Sequence, residues 1–521
     1  MTRNLTLLTD LYELTMAQGY WENGKLGVEG CFYAFVRENP FEGGYSIFCG
    51  ADQVAELVEG FGVTADDVDY LASLPSPAGT PLFNPEFLEW LSDLELSVDI
   101  DCVPDGTVIF PREPIVRVTG PLLEGQLLEP AILNGINFQT LIATKAARVC
   151  DAAQGRPVSE FGLRRSQGPD GALSASRAAY VGGCSSVANV LAGKKYGIPV
   201  SGTHAHSWVM SFPTQLEAFR AYAKSMPDNC TLLVDTYDVE GGVRDAITVG
   251  LELRERGHQL RAIRIDSGDL AWLSKKARGM LDEAGLSEVG IILSNDLDEY
   301  TIESLNEQGA SYTGLGVGTH LATAYGQPAL GGVYKLSAVR EAGAAGSGGA
   351  ASSGGAAGSG AAAGSGGAAG SGAAALEGWS PRMKLSQQNY KRTIPGVLAA
   401  RRYYDGDGKF AGDVIYDLTT GVPDEPVIVD PLDAQRRCRF ESDQECTELL
   451  APLVRAGHVV GDVDLSAQAA SARRETQLSK LDASVRRFLN PHSYPCGIER
   501  GLFERRRELT RAMRGHDELF E

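Results

Sequence analysis

Leu260-Arg-Ala-Ile-Arg-Ile-Asp266-Ser-Gly-Asp269 is the stretch of sequence that decides the fold of this 521-residue chain. Isoleucines alternate with Arg264 and Asp266, so the apolar side chains share one face of a strand and the two charged groups share the other. Comparable short runs of apolar and β-branched residues recur at residues 199–201, 231–235, 290–294 and 312–318, and amphipathic stretches at 243–256, 270–284 and 299–307 separate them. This alternation of strands with helices predicts a parallel sheet.

Polar residues stand where three of these strands end. Asp235, Asp266 and the run Ser294-Asn295-Asp296 each follow an apolar segment. In a closed α/β barrel the C-terminal ends of all strands face one cavity, where catalytic groups gather. An open doubly wound sheet is less favoured, because no strand is followed by a complete G-x-G-x-x-G turn that opens a helix. We therefore predict a TIM-like α/β barrel over residues 125–341.

A smaller α/β domain is predicted before the barrel, over residues 1–124. It opens with a helix for which Thr9 or Asp10 is the expected N-cap. Residues 342–375 contain only Ala, Gly and Ser, which predicts a flexible insert.

The chain around and after this insert is expected to add strands and then helices. The strand-like segments 332–339 and 382–386 flank the insert, and we expect them to pair with each other. Residues 376–521 are predicted to return strands to the N-terminal domain and to finish as a C-terminal helical extension. Amphipathic spacing predicts packing helices at 478–489 and 504–513.

Composition excludes several classes of protein. A net charge of −20 argues against a general nucleic-acid binder, which needs clustered cations to neutralise phosphates. The nine cysteines include no C-x-x-C pair, which argues against a disulfide framework or a zinc knuckle. No apolar run approaches the roughly 20 residues that span a bilayer, and the first residues lack a signal-peptide pattern. We therefore expect a cytoplasmic protein with neither a membrane nor a nucleic acid as partner.

Two of the seven histidines lie two residues apart, in Ser201-Gly-Thr-His204-Ala-His206-Ser207. If this segment continues the strand that begins near residue 199, both imidazoles point into one cavity. Imidazole can act as a base, a metal ligand or a phosphoryl acceptor near neutral pH. Two hydrogen-bonded structural histidines are the alternative, and a metal-hydrolase site would need further His or Cys ligands that the neighbouring sequence lacks.

An aromatic residue close to two arginines is a second candidate. Phe161 stands shortly before Arg164-Arg165 and a Gly/Pro turn, so a ring face and a guanidinium fork suited to phosphate or carboxylate could be offered together. A solvated arginine pair beside a buried Phe161 is the alternative.

Two further segments could hold anions. Ser267 is predicted to cap a helix whose first amides, next to Gly268, bind an anion, while Asp266 orients sugar hydroxyls or a divalent metal. An N-cap box with a surface ion pair is the alternative. The run Gly314-Leu-Gly316-Val-Gly318-Thr319 predicts a glycine-rich turn whose amides converge on phosphate.

In this order, these segments resemble one family, the nicotinate phosphoribosyltransferases. The matching motifs are Thr9-Asp-Leu-Tyr12, Glu160-Phe-Gly-Leu-Arg-Arg165, Asn189-Val-Leu-Ala-Gly193, Gly202-Thr-His-Ala-His-Ser207, Val234-Asp-Thr-Tyr-Asp238, Arg264-Ile-Asp-Ser-Gly-Asp269, Ser294-Asn-Asp296, Gly316-Val-Gly-Thr319 and Pro381-Arg-Met-Lys-Leu-Ser386. They span nearly the whole chain apart from residues 342–375.

The resemblance implies a reaction and an architecture. Nicotinate attacks C1 of phosphoribosyl pyrophosphate to give nicotinate mononucleotide and pyrophosphate in NAD salvage. ATP hydrolysis is coupled to this step through a phosphorylated histidine, with Mg²⁺, and that histidine would be His206 and not His204. The family fold is an α/β barrel with a smaller N-terminal α/β domain, and its sites form across a homodimer.

The resemblance also implies roles for individual residues. Tyr12, from a second subunit, and Phe161 would sandwich the pyridine ring. Thr203 and Arg264 would contact nicotinate or hold its carboxylate, Arg164 would meet the ribose phosphate, and Asp266 would face the ribose or the metal. The predicted phosphate-binding residues are Ser267, Gly268, Asn295, Gly316, Gly318 and Thr319.

This chain departs from the family pattern in two places. His320 follows Thr319 where the family commonly has a basic or aliphatic residue, and Gly183–Asn189 differs from the usual aromatic, acidic and serine-rich version. The rival hypotheses are a phosphoribosyltransferase for nicotinamide or quinolinate, and a non-catalytic paralogue that binds NAD precursors.

Overall fold

The computed structural model describes residues 4–341, 376–388, 391–461 and 463–514. Its helices are α1 Leu11–Glu22, α2 Ala51–Glu59, α3 Ala65–Ser73, α4 Pro85–Ser92, α5 Leu122–Leu127, α6 Glu129–Ala152, α7 Gly168–Val181, α8 Val190–Tyr196, α9 His206–Met210, α10 Gln215–Ser225, α11 Val239–Glu255, α12 Leu270–Glu283, α13 Glu299–Glu307, α14 Thr319–Ala322, α15 Ala467–Lys480 and α16 Arg500–Arg514. The predicted insert at 342–375 lies outside the described residues, so its flexibility stays a prediction.

The strands form three large sheets and one short pair. They are β1 Val28–Val36, β2 Ser46–Ile47, β3 Asp99–Cys102, β4 Val108–Ile109, β5 Val116–Pro121, β6 Val158–Glu160, β7 Ser186–Val187, β8 Thr231–Leu233, β9 Ala262–Ile265, β10 Gly290–Asn295, β11 Gly314–Val317, β12 Gly332–Glu341, β13 Ser380–Pro381, β14 Leu398–Tyr404, β15 Phe410–Asp417, β16 Val427–Val429, β17 Arg437–Arg439, β18 Cys446–Glu448, β19 Ala451–Arg455, β20 His458–Val459 and β21 Cys496–Glu499.

The predicted parallel sheet is present, and its strand order is that of an α/β barrel. Its six strands follow the order β7-β6-β11-β10-β9-β8, and every pair is parallel. A parallel bridge from Val187 to Val200 adds one more segment beyond β7. Around the sheet the segments therefore succeed one another in chain order from β6 to β11. Between the Val200 segment and β8, the Leu233 amide donates to the His204 ring instead of to a neighbouring carbonyl.

The N-terminal strands pair in a seven-stranded sheet of order β13-β12-β1-β5-β3-β19-β20. Strand β12 lies in the range predicted for the barrel, but it pairs along its length with β1. Its other neighbour is β13, through Ala338 with Pro381 and Val339 with Ser380. The expected pairing across the insert is therefore real, although the partner lies just before residues 382–386.

The C-terminal region only partly follows the prediction. Strands β19 and β20 return to the N-terminal sheet, whereas β14–β18 and β21 form a separate six-stranded mixed sheet. Helix α16 covers the predicted 504–513 helix, but the predicted helix at 478–489 is wrong because α15 ends at Lys480. The Asp482 carboxylate then accepts hydrogen bonds from the Ser484 amide and hydroxyl, a local turn that competes with helix.

Buried ion pairs attach the N-terminal region to the barrel helices. The Arg177 guanidinium of α7 contacts Asp52 of α2 at 2.9 Å and Asp105 at 2.8 Å. The paired carboxylates offset the cost of burying this arginine. They therefore join α2 and the loop that carries Asp105 to α7. Among the described residues, no helix has both the length and the apolar character to cross a bilayer.

Candidate active site at the barrel strand ends

Arg264 joins three strand ends at the C-terminal edge of the barrel sheet. Its Nε donates to Ser294 Oγ at 2.7 Å, one terminal nitrogen to Asp266 Oδ1 at 2.8 Å, and the other to Thr203 Oγ1 at 3.3 Å. The guanidinium carbon lies 5.5 Å from the centre of the Phe161 ring. Parallel strands end at the same edge, so residues far apart in sequence meet here, as the strand-end polar pattern predicts.

Two aspartates from adjacent strands lie at this edge. Asp266 Oδ1 accepts from the Ser294 hydroxyl at 2.6 Å as well as from Arg264. Asp235 Oδ2 accepts from the Asp266 amide at 3.0 Å and from Ser267 Oγ at 2.6 Å. Asp235 Oδ1 is buried and has no hydrogen-bond partner among the described residues. A buried carboxylate oxygen without a partner is costly, so a cation or a donor from a ligand would stabilise it.

The two histidines do not share a face, so this part of the sequence prediction is wrong. Residues 201–205 form no extended ladder, and His206 begins the short helix α9. His204 is 7% exposed, and its Nε2 accepts from the Leu233 amide at 3.2 Å. Burial, followed by the charges of Arg264 and His206, lowers the pKa of His204. His204 is therefore the hydrogen-bonded structural histidine that sequence reasoning kept as an alternative.

The His206 ring, in contrast, lies in the strand-end cluster. Its Nδ1 is 3.1 Å from Thr236 Oγ1, and its Nε2 is 4.0 Å from Asp266 Oδ2. The side chain is 43% exposed, so a ligand can reach the ring. His206, Asp266 and Arg264 thus meet as predicted.

Phe161 owes its position to a missing side chain on the neighbouring strand. Its amide donates to Val317 O at 2.8 Å, which extends β6 alongside β11. A Cβ on Gly316 would lie 2.6 Å from two atoms of the Phe161 ring. Strand β11 confirms the strand predicted at 312–318, so of the glycine-rich turn predicted over 314–319 only Gly318 and Thr319 lie beyond the strand. Glycine at 316 is needed for ring packing, and its contact with phosphate stays a prediction.

The other predicted phosphate-binding residues lie in the loops after β9, β10 and β11. Ser267 does not cap α12, because the N-cap is Asp269, whose carboxylate accepts from the Trp272 amide at 3.0 Å. Gly268 has φ +82°, and Asn295, at the end of β10, has φ +124°, a region that non-glycine residues rarely adopt. Gly318 and Thr319 form the start of α14. These residues border the same edge of the sheet, and phosphate binding by them stays a prediction.

Two predicted residues make none of the contacts described for this cluster. Arg164 is exposed in the short 3₁₀ turn Leu163–Arg165, directly after β6 and Phe161. Tyr12 is 50% exposed at the start of α1 and lines a separate cleft of about 520 Å³ with Glu129 and Asn137 of α6. The role predicted for Tyr12 requires a second subunit, and this chain alone does not test it.

Sequence reasoning missed several polar groups at this edge. Ser294 is 2% exposed and bonds to both Arg264 and Asp266. The run Ser294-Asn295-Asp296 marks Ser294 as a polar residue at a strand end, but the predicted phosphate contact in that run is assigned to Asn295 and the bonds of Ser294 are not predicted. The hydroxyls of Ser159, Ser186 and Ser201 lie 2.8–3.1 Å from one another across three adjacent segments. Their spacing in sequence gives no sign of this contact.

The donor set at the strand ends fits a magnesium ion. Mg²⁺ prefers oxygen ligands, keeps several waters and is commonly held by one or two carboxylates plus substrate phosphates. Asp235 and Asp266 supply carboxylates from adjacent strands, and one Asp235 oxygen lacks a partner among the described residues. No group of three or more His, Cys, Asp or Glu side chains in the described residues could hold a metal by itself.

Comparison with protein families agrees with this geometry. Residues 7–137 match the model of the nicotinate phosphoribosyltransferase N-terminal domain, residues 157–345 that of the nicotinate phosphoribosyltransferase family, and residues 399–506 that of the C-terminal domain. The nicotinate phosphoribosyltransferase of Caenorhabditis elegans is 32% identical over 96% of this chain and 92% of its own length. This chain belongs to the nicotinate phosphoribosyltransferase family.

Other members of the family support the assignment. The Bacillus subtilis nicotinate phosphoribosyltransferase is 46% identical over 65% of this chain and 68% of its own length. The crystal structure of human nicotinic acid phosphoribosyltransferase superposes with a TM-score of 0.79 at 30% identity, covering 96% of this chain and 99% of the human one. The nicotinate-nucleotide pyrophosphorylase of Pyrococcus furiosus shares the fold, with a TM-score of 0.65 at 19% identity.

Proposed function

We propose that this chain transfers a phosphoribosyl group to nicotinate and couples the transfer to ATP hydrolysis through His206. The transfer gives nicotinate mononucleotide and pyrophosphate, and the hydrolysis of ATP gives ADP and phosphate. Family membership supports the phosphoribosyl transfer. The single observation that carries the proposal is the cluster in which Arg264 bonds to Thr203, Ser294 and Asp266 beside the Phe161 ring.

Nicotinate recognition follows from the pairing of an aromatic face with a cation. Phe161 offers a flat surface for the pyridine ring, and the guanidinium of Arg264 favours a carboxylate over a neutral amide. Thr203 Oγ1 is a further hydrogen-bonding group on the same side. In the proposed homodimer, Tyr12 of the partner subunit covers the other face of the ring.

Ribosyl transfer needs positioning and charge stabilisation. Departure of pyrophosphate leaves positive charge on the ribose C1, and the ring nitrogen of nicotinate then forms the new C–N bond. The Asp266 carboxylate faces the ribose, while Arg164 and the loops at 267–268 and 318–319 hold the phosphates. Asp235 and Asp266 would hold Mg²⁺, which neutralises the pyrophosphate leaving group when bound.

The proposed phosphoryl acceptor is Nε2 of His206, because Nδ1 already lies 3.1 Å from Thr236 Oγ1. The Nε2 lone pair attacks the γ-phosphorus of ATP, and the bond to the ADP oxygen breaks. Water later attacks the phosphohistidine and releases phosphate. The phosphoryl group adds about two negative charges beside Asp266, so it changes the charge around Mg²⁺ and pyrophosphate.

A product assay tests this proposal. Purified protein is incubated with phosphoribosyl pyrophosphate and with nicotinate, nicotinamide or quinolinate, each with and without ATP and Mg²⁺. We expect nicotinate mononucleotide from nicotinate, with ATP raising the yield. Product from nicotinamide or quinolinate instead would support the rival transferases, and no product from any acid or amide would support the non-catalytic paralogue.

Phosphohistidine detection tests the ATP coupling. Wild-type protein incubated with γ-radiolabelled ATP should acquire a radioactive phosphoryl group that acid removes. The His206→Ala variant should acquire none. His204→Gln is the matched control, because His204 is buried and bonded to the backbone, so this variant should retain the label. Labelling of His206→Ala would contradict the assignment. The cytoplasmic location expected from the sequence stays a prediction.

A further inference from the structure

Guanidinium groups gather in a small cleft that shares no lining residue with the cluster at the barrel strand ends, and we name it the arginine cleft. It has a volume of about 200 Å³ and lies between α16, the loop before β14 and the turn after β16. Its lining residues include Arg392, Arg506, Arg507, Leu432, Phe503 and Thr510. In a chain with a net charge of −20, three arginines at one small cleft are an exception.

These arginines lack carboxylate partners within the described residues. Arg506 is 8% exposed, and within the described part of the chain its donors reach two neutral backbone carbonyls, Thr393 O at 3.2 Å and Arg392 O at 3.4 Å. Arg392 Nε is buried and has no hydrogen-bond partner among the residues that the structure describes. The nearby Asp430 is engaged elsewhere, because its oxygens accept from the Leu432 amide and lie 3.7 Å from Arg436.

The surroundings of these arginines lower the pKa of Arg506 and the pKa of Arg392. Burial is the largest cause of the lowering of the Arg506 pKa to about 10; the nearby Tyr33 raises this pKa, and the charges of Arg112 and Arg392 lower it. Burial also lowers the pKa of Arg392, with a further contribution from Arg514. Uncompensated charges in a partly buried place are unfavourable, and an anion would relieve both the desolvation and the repulsion.

We propose that the arginine cleft binds a phosphate group, separately from the substrate site at the barrel strand ends. Guanidinium forks match the oxygens of phosphate in pairs. Pockets for drug-sized ligands measure about 300–1,000 Å³, so this cleft suits inorganic phosphate or a phosphate monoester with a small substituent. Phe503 and Leu432 form an apolar wall that such a substituent would contact.

Calorimetric titration of the full-length protein tests the proposal, with inorganic phosphate and phenyl phosphate as separate probes. The proposed substrate site would also bind phosphate, so the number of sites is compared among variants. We expect wild type and Arg500→Gln to bind two phosphates per chain. Arg500 is the matched control because it lies on α16 and pairs with Glu504, outside the cleft. In Arg392→Gln/Arg507→Gln, one site should weaken by about tenfold or more, from the loss of charged hydrogen bonds.

Tighter binding of phenyl phosphate than of phosphate would identify a monoester as the ligand, and equal binding would identify inorganic phosphate. The same number and affinity of sites in all three proteins would overturn the proposal.

If the double variant does not fold, the single variant Arg507→Gln, at an exposed position, is tested alone. Without phosphate it should melt at or above the wild-type temperature, because repulsion is relieved, and phosphate should stabilise it less than wild type. Equal stabilisation by phosphate would overturn the proposal.

Discussion

Two arginines, one in the C-terminal sheet and one at the barrel strand ends, are surrounded in opposite ways. Arg402 of β14 is completely buried, and its donors are filled by both oxygens of Asp413, by Gln477 Oε1 and by Val108 O. Arg264 of β9 is 15% exposed and divides its donors among three side chains on three different segments. The first set of contacts is closed to any ligand, whereas the second leaves part of the Arg264 side chain exposed.

This difference separates charges that stabilise the fold from charges that serve a ligand. Burial lowers the pKa of Arg402, but its acidic neighbours, with Asp413 the strongest, together raise it by more, so the guanidinium stays charged. Arg264 is held by hydroxyls of Ser294 and Thr203, which orient the guanidinium while neutralising none of its charge. Asp266 supplies a single carboxylate oxygen to it. An incoming carboxylate can therefore still gain from contact with Arg264.

The largest expected effect is the loss of stability when the buried pair of Arg402 and Asp413 is broken. Arg402→Met leaves Asp413 buried without its cation, so the free energy of unfolding should fall by about 3–5 kcal/mol. Urea unfolding monitored by circular dichroism measures this. The matched control is Arg401→Met on the same strand, where the pair with Glu448 is partly exposed and is worth about 0–1 kcal/mol. Equal losses in the two variants would contradict the assignment of Arg402 to stability.

A smaller effect, on catalysis and not on stability, is expected at the open cluster. Arg264→Gln keeps hydrogen-bonding capacity but removes the charge, so kcat/KM for nicotinate should fall roughly 100-fold, as for a charged contact worth about 3 kcal/mol. Its free energy of unfolding should fall by less than that of Arg402→Met, because Asp266 stays partly exposed when it loses its cation. Arg261→Gln, an exposed residue just before β9, is the control and should keep full activity. A large loss of stability with unchanged kcat/KM would reverse the comparison.

The smallest effect concerns His204, a buried side chain beside the Arg264 cluster. Burial lowers the pKa of its ring below the ordinary 6.5, so the unfolded chain takes up a proton first as the pH falls. This contribution to stability is therefore present above about pH 6.5 and is lost on acidification. In His204→Gln the decline in unfolding free energy between pH 7 and pH 5 should be shallower than in wild type, as measured by urea unfolding at each pH. Parallel declines would show that the ring does not titrate in this way.

Predictions from local pattern were confirmed where one segment carries its own signal. The alternation of apolar strands with amphipathic helices predicted the parallel sheet, and the polar residues that end those strands predicted where Arg264, Asp266 and His206 would meet. The helix predicted at 478–489 was wrong because apolar spacing does not reveal that the Asp482 side chain closes a turn. The prediction of Ser267 as a helix N-cap is wrong because Ser and Asp are equally good caps. The backbone path decides that Asp269 is the N-cap.

Sequence alone determined the strand and helix alternation, the strand-end chemistry and the family of this chain, because these depend on residue type and spacing along one segment. Tertiary structure decided which histidine is buried, why residue 316 has no side chain, that β12 pairs with β1, and that Ser294 orients both Arg264 and Asp266. These outcomes depend on contacts between segments far apart in the chain. Whether a polar group meets a partner or a cavity is set by neighbours that its own segment does not contain.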